Sequence, residues 1–259
     1  MGLTLTALTG IPLIHPGDDL AKIILSALDA TQIRLEDGDI LVLAQKIVSK
    51  AEGRLVNLAG VVASPRAIEL ARNTEKDPRL VEVILNESNE VLRTRPGTII
   101  VEHRLGFVCA SAGVDHSNVS RVPDLDKTDA DDWILLLPED PDESAGRIRQ
   151  DLEIASGKRL GVLIIDSHGR AWRLGTVGVA IGVSGLPGLV DLRGQPDLSG
   201  YVLKITLVAA ADELAAAASL VMGQAAEGTP VVHVRGFPYP LREGNLKELL
   251  RPRQEDMFR

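Results

Sequence analysis

The amino-acid sequence predicts a mixed α/β (α+β) fold rather than a plain Rossmann fold. Apolar runs of strand length, such as residues 40–44 and 160–165, are interspersed with segments of helical spacing such as residues 20–28. These helices and strands do not alternate strictly, as a doubly wound parallel sheet requires. The chain has 259 residues, of which 45% are hydrophobic but only 3% aromatic. We therefore expect a substantial core built from Val, Leu, Ile and Ala.

Capping residues support the helices predicted in the first half of the chain. Gly17, Asp18 and Asp19 precede the apolar repeat at 20–28, and Ser64 is an N-cap candidate followed by Pro65 at the first helical position. The predicted elements are helices at 20–28, 65–72 and 78–87 and strands at 40–44, 98–101 and 105–110.

Glycines end the helices predicted in the second half. Gly157 follows the segment 144–155, and Gly223 follows the alanine-rich segment 212–221. The polar and acidic stretch 120–132 is predicted to be a surface loop. The other predicted elements are strands at 160–165, 201–208 and 229–234 and a glycine-rich strand with a turn at 175–188.

Composition limits the partners and the location of the protein. The net charge of −8 argues against general nucleic-acid binding, which usually needs a basic surface. Cys109 is the single cysteine, so no intrachain disulfide can form, which fits a reducing cytoplasm. Residues 1–14 lack the features of a signal peptide, and no apolar run is long enough to cross a bilayer. We expect a cytoplasmic protein without membrane or nucleic-acid partners.

Two aspartates follow apolar runs and are themselves followed by small polar residues and glycine: Asp115 and Asp166. The carboxyl ends of parallel strands face ligand crevices, and carboxylates there can bind a divalent cation that holds phosphate oxygens. Asp115 with Asn118 is also compatible with an Asx-turn, and Asp166 with Ser167 is also compatible with a helix cap. Both interpretations stay open on the residues alone.

Other polar residues give weaker signals. Lys46 and Lys50 follow the strand at 40–44, where an ammonium can meet phosphates, although no Walker P-loop motif is present. Arg170 and Arg173 can pair with phosphate or lie on the surface as solvated side chains. Gln224 can ligate a metal, but capping chemistry beside Gly223 is favoured for it.

Seven segments in this order resemble the coenzyme F-420-0:L-glutamate ligase family, the γ-glutamyl ligases of the deazaflavin coenzyme. The resemblance runs from about Thr9 to Arg251. The segments are Gly-Ile-Pro-Leu-Ile at 10–14, Gly-Asp-Ile at 38–40, Gln-Lys-Ile-Val-Ser-Lys-Ala-Glu-Gly-Arg at 45–54, Lys-Asp-Pro-Arg at 76–79, Ala-Gly-Val-Asp-His-Ser-Asn at 112–118, Leu-Pro-Glu-Asp-Pro-Asp at 137–142 and Asp-Ser-His-Gly-Arg at 166–170.

This resemblance implies a GTP-dependent amide ligase. The enzyme would add L-glutamate to the carboxylate of coenzyme F-420-0 through an acyl phosphate and extend a γ-linked tail. It would use Mg²⁺ or Mn²⁺ at two sites, together with K⁺. The resemblance further implies a homodimer, an unusual fold of two interleaved subdomains, and a single ligase module at 1–259 without a C-terminal reductase domain.

Site residues carry over by position. Asp115 and Asp166 would bind one metal, and Asp166 or Ser167 with Gln224 would bind a second. Asp115, Asp166 and Lys50 would be catalytic. The GTP site would be lined by Ile11, Pro12, Leu13, Ile14, Gln45, Lys50, Asn118, Met222, Gly223, Gln224, Ala225, Ala226, Glu227, Gly228 and Thr229.

The sequence departs from the family pattern in three places. Ser167 stands where threonine is frequent, His168 is atypical, and the acidic loop 124–132 is longer than usual. These departures leave open a related amide ligase that uses another carboxylate acceptor. A non-catalytic GTP-binding protein is the alternative from another class.

Overall fold

The computed structural model describes residues 2–116 and 132–257. The helices among these residues are α1 (Leu20–Ala30), α2 (Gln45–Ala51), α3 (Pro65–Thr74), α4 (Pro78–Asn86), α5 (Pro141–Ser156) and α6 (Ala210–Met222). The strands are β1 (Thr4–Ala7), β2 (Ile40–Ala44), β3 (Leu55–Asn57), β4 (Ser88–Arg95), β5 (Thr98–His103), β6 (Val108–Ala110), β7 (Trp133–Leu135), β8 (Gly161–Arg170), β9 (Arg173–Ser184), β10 (Val190–Asp191), β11 (Leu207–Val208) and β12 (Val231–Arg235).

The largest sheet has five strands in the order β1-β12-β2-β8-β9. β2 and β8 pair in parallel, whereas the other neighbours are antiparallel. The smaller sheets are β4-β5-β6, β3-β7 and β10-β11. This arrangement confirms the mixed α/β class and is not a plain Rossmann sheet. The parallel pair places the carboxyl end of β2 beside the middle of β8.

Helices cover the two faces of the five-stranded sheet. Val162 and Ile164 of β8 pack into a core with α1 and α5, whereas Leu163 and Ile165 pack on the opposite face against α6. Successive side chains of a strand alternate between faces. Asp166 therefore continues the α1–α5 face of the strand.

A close approach of α6 to β9 needs a glycine. A Cβ atom on Gly178 would lie 2.5 Å from the carbonyl oxygen of Ala215, which is shorter than any normal contact. The absence of a side chain at this position lets the helix lie directly on the strand. The close packing places the carboxyl end of α6 beside the β8–β9 hairpin.

A second group of elements surrounds a separate core. α3 and α4 pack against β5 and β6 through apolar side chains that include Ala67, Ile84 and Ile99. Phe107, in the connection between β5 and β6, packs against both this core and the α1–α5 core. The division into two interleaved subdomains stays a prediction.

The predicted caps are present. Asp19 and Ser64 accept hydrogen bonds from the backbone N–H groups of Lys22 and Ala67 at 3.0 and 3.2 Å. α5 begins at Pro141 rather than at the predicted residue 144, because Asp140 serves as its N-cap. It ends where Gly157 adopts a left-handed conformation, with φ of 67°.

The prediction that a strand ends at residue 165 was wrong. β8 continues to Arg170 and pairs with β9 as a long antiparallel hairpin, with His168 opposite Val177. The hydrogen-bonded partner strand sustains the extended backbone after the apolar pattern has stopped. Asp166 consequently lies inside a strand instead of at its end.

The prediction of a strand at 201–208 was mostly wrong. Only Leu207 and Val208 of this segment form a named strand, and the Ile205 side chain is 87% exposed. The alternating pattern was misleading because most of this segment is exposed and, within the described part of the chain, has no neighbouring strand to pair with. Helix α2 and strands β1, β3, β4, β7 and β10 were not predicted. The predicted loop at 120–132 lies outside the described residues except for Asp132.

Candidate active site

A cavity of about 510 Å³ opens at the carboxyl end of the parallel strand pair. Ala44, the last residue of β2, is in register with Ile165 of β8. Gln45 and Asp166 follow them directly. The segment after α6 closes the opposite side of the cavity. The cavity therefore lies at the end of β2, beside the point where β8 continues past its parallel partner.

Every site residue that the family resemblance implied and that the structure describes lines this cavity. Asn118 lies outside the described residues, and Arg170 and Arg173 are not among the lining residues. Thr176 and Ser219, two polar residues that the sequence did not suggest, also line it. Lys46 lines it as well, although the family resemblance assigned only Lys50 to the site. The predicted residues that line it are Ile11, Pro12, Leu13, Ile14, Gln45, Lys50, Asp115, Asp166, Ser167, Met222, Gly223, Gln224, Ala225, Ala226, Glu227, Gly228 and Thr229.

A short 3-10 turn at Ser111–Gly113 places Asp115 at the cavity wall. Gly113 has φ of 66°, and a Cβ atom there would lie 2.7 Å from Leu137 Cδ1, so the turn requires glycine. The backbone N–H and C=O of Asp115 then form hydrogen bonds of 3.0 and 2.9 Å with the backbone of Leu135. This bridge fixes the main chain, so the carboxylate projects from a rigid position.

Helix α2 carries two lysines to the cavity. Lys46 Nζ lies 2.6 Å from Asp115 Oδ2. Lys50 is one helical turn further on the same face and is buried. Gln45 Oε1 accepts a hydrogen bond of 2.8 Å from Ser49 Oγ, which orients its amide. The helix begins directly after β2, so the lysines face the crevice at the strand end.

Asp166 and Ser167 engage partners on the two faces of β8. Asp166 Oδ2 lies 3.0 Å from His168 Nε2. Ser167 Oγ donates to Gln224 Oε1 at 2.8 Å, and Gln224 Nε2 donates to Ser219 Oγ at 2.7 Å. The Gln224 amide is therefore turned with its oxygen towards Ser167.

The segment after α6 presents backbone N–H groups to a negative charge. The N–H of Ala225 donates to Glu227 Oε2 at 2.8 Å. Backbone N–H groups of Ala225, Glu227 and Ala226 lower the pKa of the Glu227 carboxyl. Thr229 Oγ1 donates to the Met222 carbonyl at 3.0 Å and closes the loop onto the helix end. Successive N–H groups in such a loop form a typical anion-binding concavity.

Cys109 lies near this site but is not suited to act as a nucleophile. Burial, followed by the negative charge of Asp166, raises the pKa of the Cys109 thiol to about 12. The thiol is therefore protonated at neutral pH. Cys109 is instead a buried residue of the core that α3 and α4 form with β5 and β6.

The oxygen donors at the cavity suit a hard divalent cation. Mg²⁺ and Mn²⁺ prefer carboxylate, hydroxyl and amide oxygens, which Asp115, Asp166, Ser167 and Gln224 supply. Within residues 2–116 and 132–257, no three His, Cys, Asp or Glu side chains come together as a metal site. A metal here would accordingly depend on the Ser167 and Gln224 oxygens as well as on carboxylates.

None of the helices in the described part of the chain combines the length and apolar character of a membrane span.

Similarity to known proteins covers nearly the whole chain. A family model described as "F420-0:Gamma-glutamyl ligase" matches residues 10–236. Among relatives named "Coenzyme F420:L-glutamate ligase", the protein of Methanothermobacter thermautotrophicus is 50% identical over 261 residues, which cover 100% of both chains. That of Methanocaldococcus jannaschii is 47% identical over 249 residues, or 96% of this chain and 94% of the relative. That of Archaeoglobus fulgidus is 42% identical over 250 residues, with the same coverages.

These matches confirm the resemblance and the enzyme class that the sequence predicted: the chain belongs to the F420-0:gamma-glutamyl ligase family and is a ligase that forms carbon–nitrogen bonds.

Proposed function

We propose that this protein uses GTP to join L-glutamate to the carboxylate of coenzyme F-420-0. Family membership and the names of the relatives support the acceptor and the amino acid. The observation that carries the proposal is a cavity lined by the carboxylates of Asp115, Asp166 and Glu227, by two lysines and by a loop of backbone N–H groups. Such a lining suits a triphosphate beside a second anion, because the lysine ammonium groups and the backbone N–H dipoles can stabilise the negative charge of both anions.

The proposed reaction has two steps. An oxygen of the acceptor carboxylate attacks the γ-phosphorus of GTP, the bond to the β-phosphate oxygen breaks, and GDP leaves. The amino nitrogen of glutamate then attacks the carbonyl carbon of the acyl phosphate. Phosphate departs and the nitrogen loses a proton, which leaves an amide. Repetition on the side-chain carboxylate of the added glutamate gives the γ-linked tail.

The protein contributes positioning and charge to both steps. Lys46 and Lys50 place ammonium groups at the cavity wall, where they can stabilise the negative charge of the phosphates. The N–H groups at 225–227 can bind phosphate oxygens in the way that they now bind the Glu227 carboxylate. These contacts hold the reacting atoms together, and such positioning supplies much of the catalysis in phosphoryl transfer.

Two divalent cations fit the proposed donor set. Asp115 and Asp166 would hold one, and Ser167 and Gln224, with Asp166, would hold the second. Bound there, Mg²⁺ or Mn²⁺ would neutralise the charge of the phosphate oxygens and of the acceptor. K⁺ is retained from the family resemblance, and no residues are assigned to it.

A homodimer is part of the proposal. Large apolar side chains are exposed on the β8–β9 hairpin and on the segment near β11, including Leu174 and Ile205 at 98% and 87%. Exposed apolar surface of this kind is typical of interaction sites. Light scattering coupled to size-exclusion chromatography measures the oligomeric state. We also propose a cytoplasmic location, where GTP and the coenzyme precursor would meet.

One incubation tests the reaction. The protein is mixed with F-420-0, GTP, Mn²⁺ and L-glutamate, and the products are analysed by mass spectrometry. The expected result is a coenzyme mass increased by one or more glutamyl residues, with release of GDP and phosphate. Parallel reactions replace GTP by ATP and F-420-0 by another phosphodiester acid. An unchanged coenzyme mass with all substrates present would refute the proposal.

A further inference from the structure

His168 makes a direct contact with the Asp166 carboxylate of the site. Its Nε2 lies 3.0 Å from Asp166 Oδ2, and the His168 and Asp166 side chains are 11% and 15% exposed. The two residues are separated by one position in β8, so their side chains lie on the same face of the strand. The contact therefore follows from the extended backbone that the β8–β9 hairpin maintains beyond the apolar run.

Aromatic packing holds the His168 ring. Its centroid lies 5.3 Å from that of Phe107, with the planes tilted by 47°. Phe107 in turn stacks on His103 at 5.1 Å with an angle of 6°. Phe107 contacts both of the cores between which it lies. A ring packed in this way loses little additional rotational freedom when it forms a hydrogen bond.

The fixed ring gives the Asp166 carboxylate a preferred orientation. With Oδ2 accepting from the imidazole N–H, the carboxyl group cannot rotate without losing that hydrogen bond. Oδ1 is then the oxygen that remains available to the cavity. The orientation of the Asp115 carboxylate is less restricted, because Asp115 forms an ion pair with the flexible ammonium of Lys46. A lysine neutralises charge without fixing the plane of a carboxylate.

We propose that His168 is a positioning residue for Asp166, which holds Oδ2 so that Oδ1 faces a bound divalent cation. The inference rests on the proposed function, in which Asp166 is a metal ligand. Groups that hydrogen-bond to metal ligands typically change metal affinity by about 10- to 100-fold when they are replaced. His168 itself does not need to touch metal or substrate for this effect.

Two substitutions separate the hydrogen bond from the packing. His168→Phe keeps an aromatic ring against Phe107 and removes the donor. His168→Gln keeps an N–H donor and removes the ring. Mn²⁺ affinity is measured by electron paramagnetic resonance of the free ion, with and without GDP, and circular dichroism and thermal unfolding monitor the fold. We expect about 10- to 100-fold weaker Mn²⁺ binding for His168→Phe, and binding much closer to that of the original protein for His168→Gln.

Three results would overturn the inference. Unchanged Mn²⁺ binding by His168→Phe would show that the hydrogen bond does not matter. Loss of binding by His168→Gln alone would assign the residue a packing role. If the unsubstituted protein does not bind Mn²⁺ in the presence of GDP, the proposed metal site is wrong. That result differs from a change seen only in the His168 variants, which would concern His168 alone.

Discussion

Lys46 and Asp115 form an ion pair at the wall of the cavity, with Nζ 2.6 Å from Oδ2. Both side chains are about 30% exposed, so water screens their attraction only in part. If Asp115 binds a divalent cation, the ammonium must share or yield its position. Lys46 can then turn towards the phosphates that the same cation would hold.

Replacement of Lys46 by methionine is expected to change two affinities in opposite directions. Mn²⁺ affinity without nucleotide should rise, because the metal no longer has to displace the Lys46 ammonium from Asp115. The rise should be at most about fivefold, since a partly exposed ion pair contributes at most about 1 kcal/mol. GDP affinity should fall, since a cation near the phosphates is lost. Electron paramagnetic resonance measures the Mn²⁺ affinity, and isothermal titration calorimetry measures the GDP affinity.

Lys22→Met is the matched control, because Lys22 is exposed on α1 and does not line the cavity. It should leave both affinities unchanged. A fall in both affinities for Lys46→Met would mean that the lysine supports the site by another route.

The two aspartates are expected to be essential for turnover. Asp115→Asn and Asp166→Asn keep the shape of the side chain but remove its charge. We expect glutamate addition to fall by more than about 100-fold for each, because each removes a negative charge that would hold the divalent cation beside the reacting phosphates. GDP release is the assay, and unfolding curves test whether the fold is kept.

Asp151→Asn serves as the control for these two variants, since Asp151 is exposed on α5 and away from the cavity lining. Normal turnover by either Asp115→Asn or Asp166→Asn would show that the proposed metal site is wrong.

Ser167 should tolerate threonine but not alanine. Threonine keeps the hydroxyl that donates to Gln224, and its branched side chain is well suited to a strand. Alanine removes the oxygen and leaves the Gln224 amide without this partner. Mn²⁺ affinity and turnover should therefore fall for Ser167→Ala and stay close to normal for Ser167→Thr. Equal behaviour of the two variants would argue against a role for the hydroxyl.

The sequence predicted which residues line the cavity better than it predicted the elements that carry them. A buried apolar run followed by aspartate indicated a strand end, yet the strand continues to Arg170 because β9 pairs with it. The crevice exists nonetheless, since β2 ends beside Ile165. That parallel pairing depends on contacts between distant segments, which a local pattern does not encode.

Residues that act through distant partners were the hardest to predict. On its local pattern Gln224 was interpreted as part of a helix end, and only the family resemblance placed it at a metal. Its oxygen meets Ser167 across a sequence separation of 57 residues. The residues alone suggested Lys46 and Lys50 as weak candidates for phosphate contacts, and the family resemblance assigned only Lys50 to the site, yet both lysines of α2 line the cavity.

His103 should make folding stability depend on pH. The ring is fully buried, and burial, followed by the charge of Arg104, lowers its pKa to about 4. In the unfolded chain a histidine has a pKa of about 6.5. Between these values the unfolded state binds the additional proton, so the free energy of unfolding rises with pH from about 4 to 6.5.

His103→Asn isolates this contribution. Nδ1 of His103 accepts a hydrogen bond of 3.0 Å from the N–H of Leu105, and asparagine retains a short acceptor for it. We expect the variant to be less stable at neutral pH, since a buried ring is lost beside Phe107. Its urea-unfolding free energy should also rise less steeply between pH 4 and 6.5 than that of the original protein. If the unfolding free energies of the two proteins depend on pH in the same way, His103 is not the source of the pH dependence.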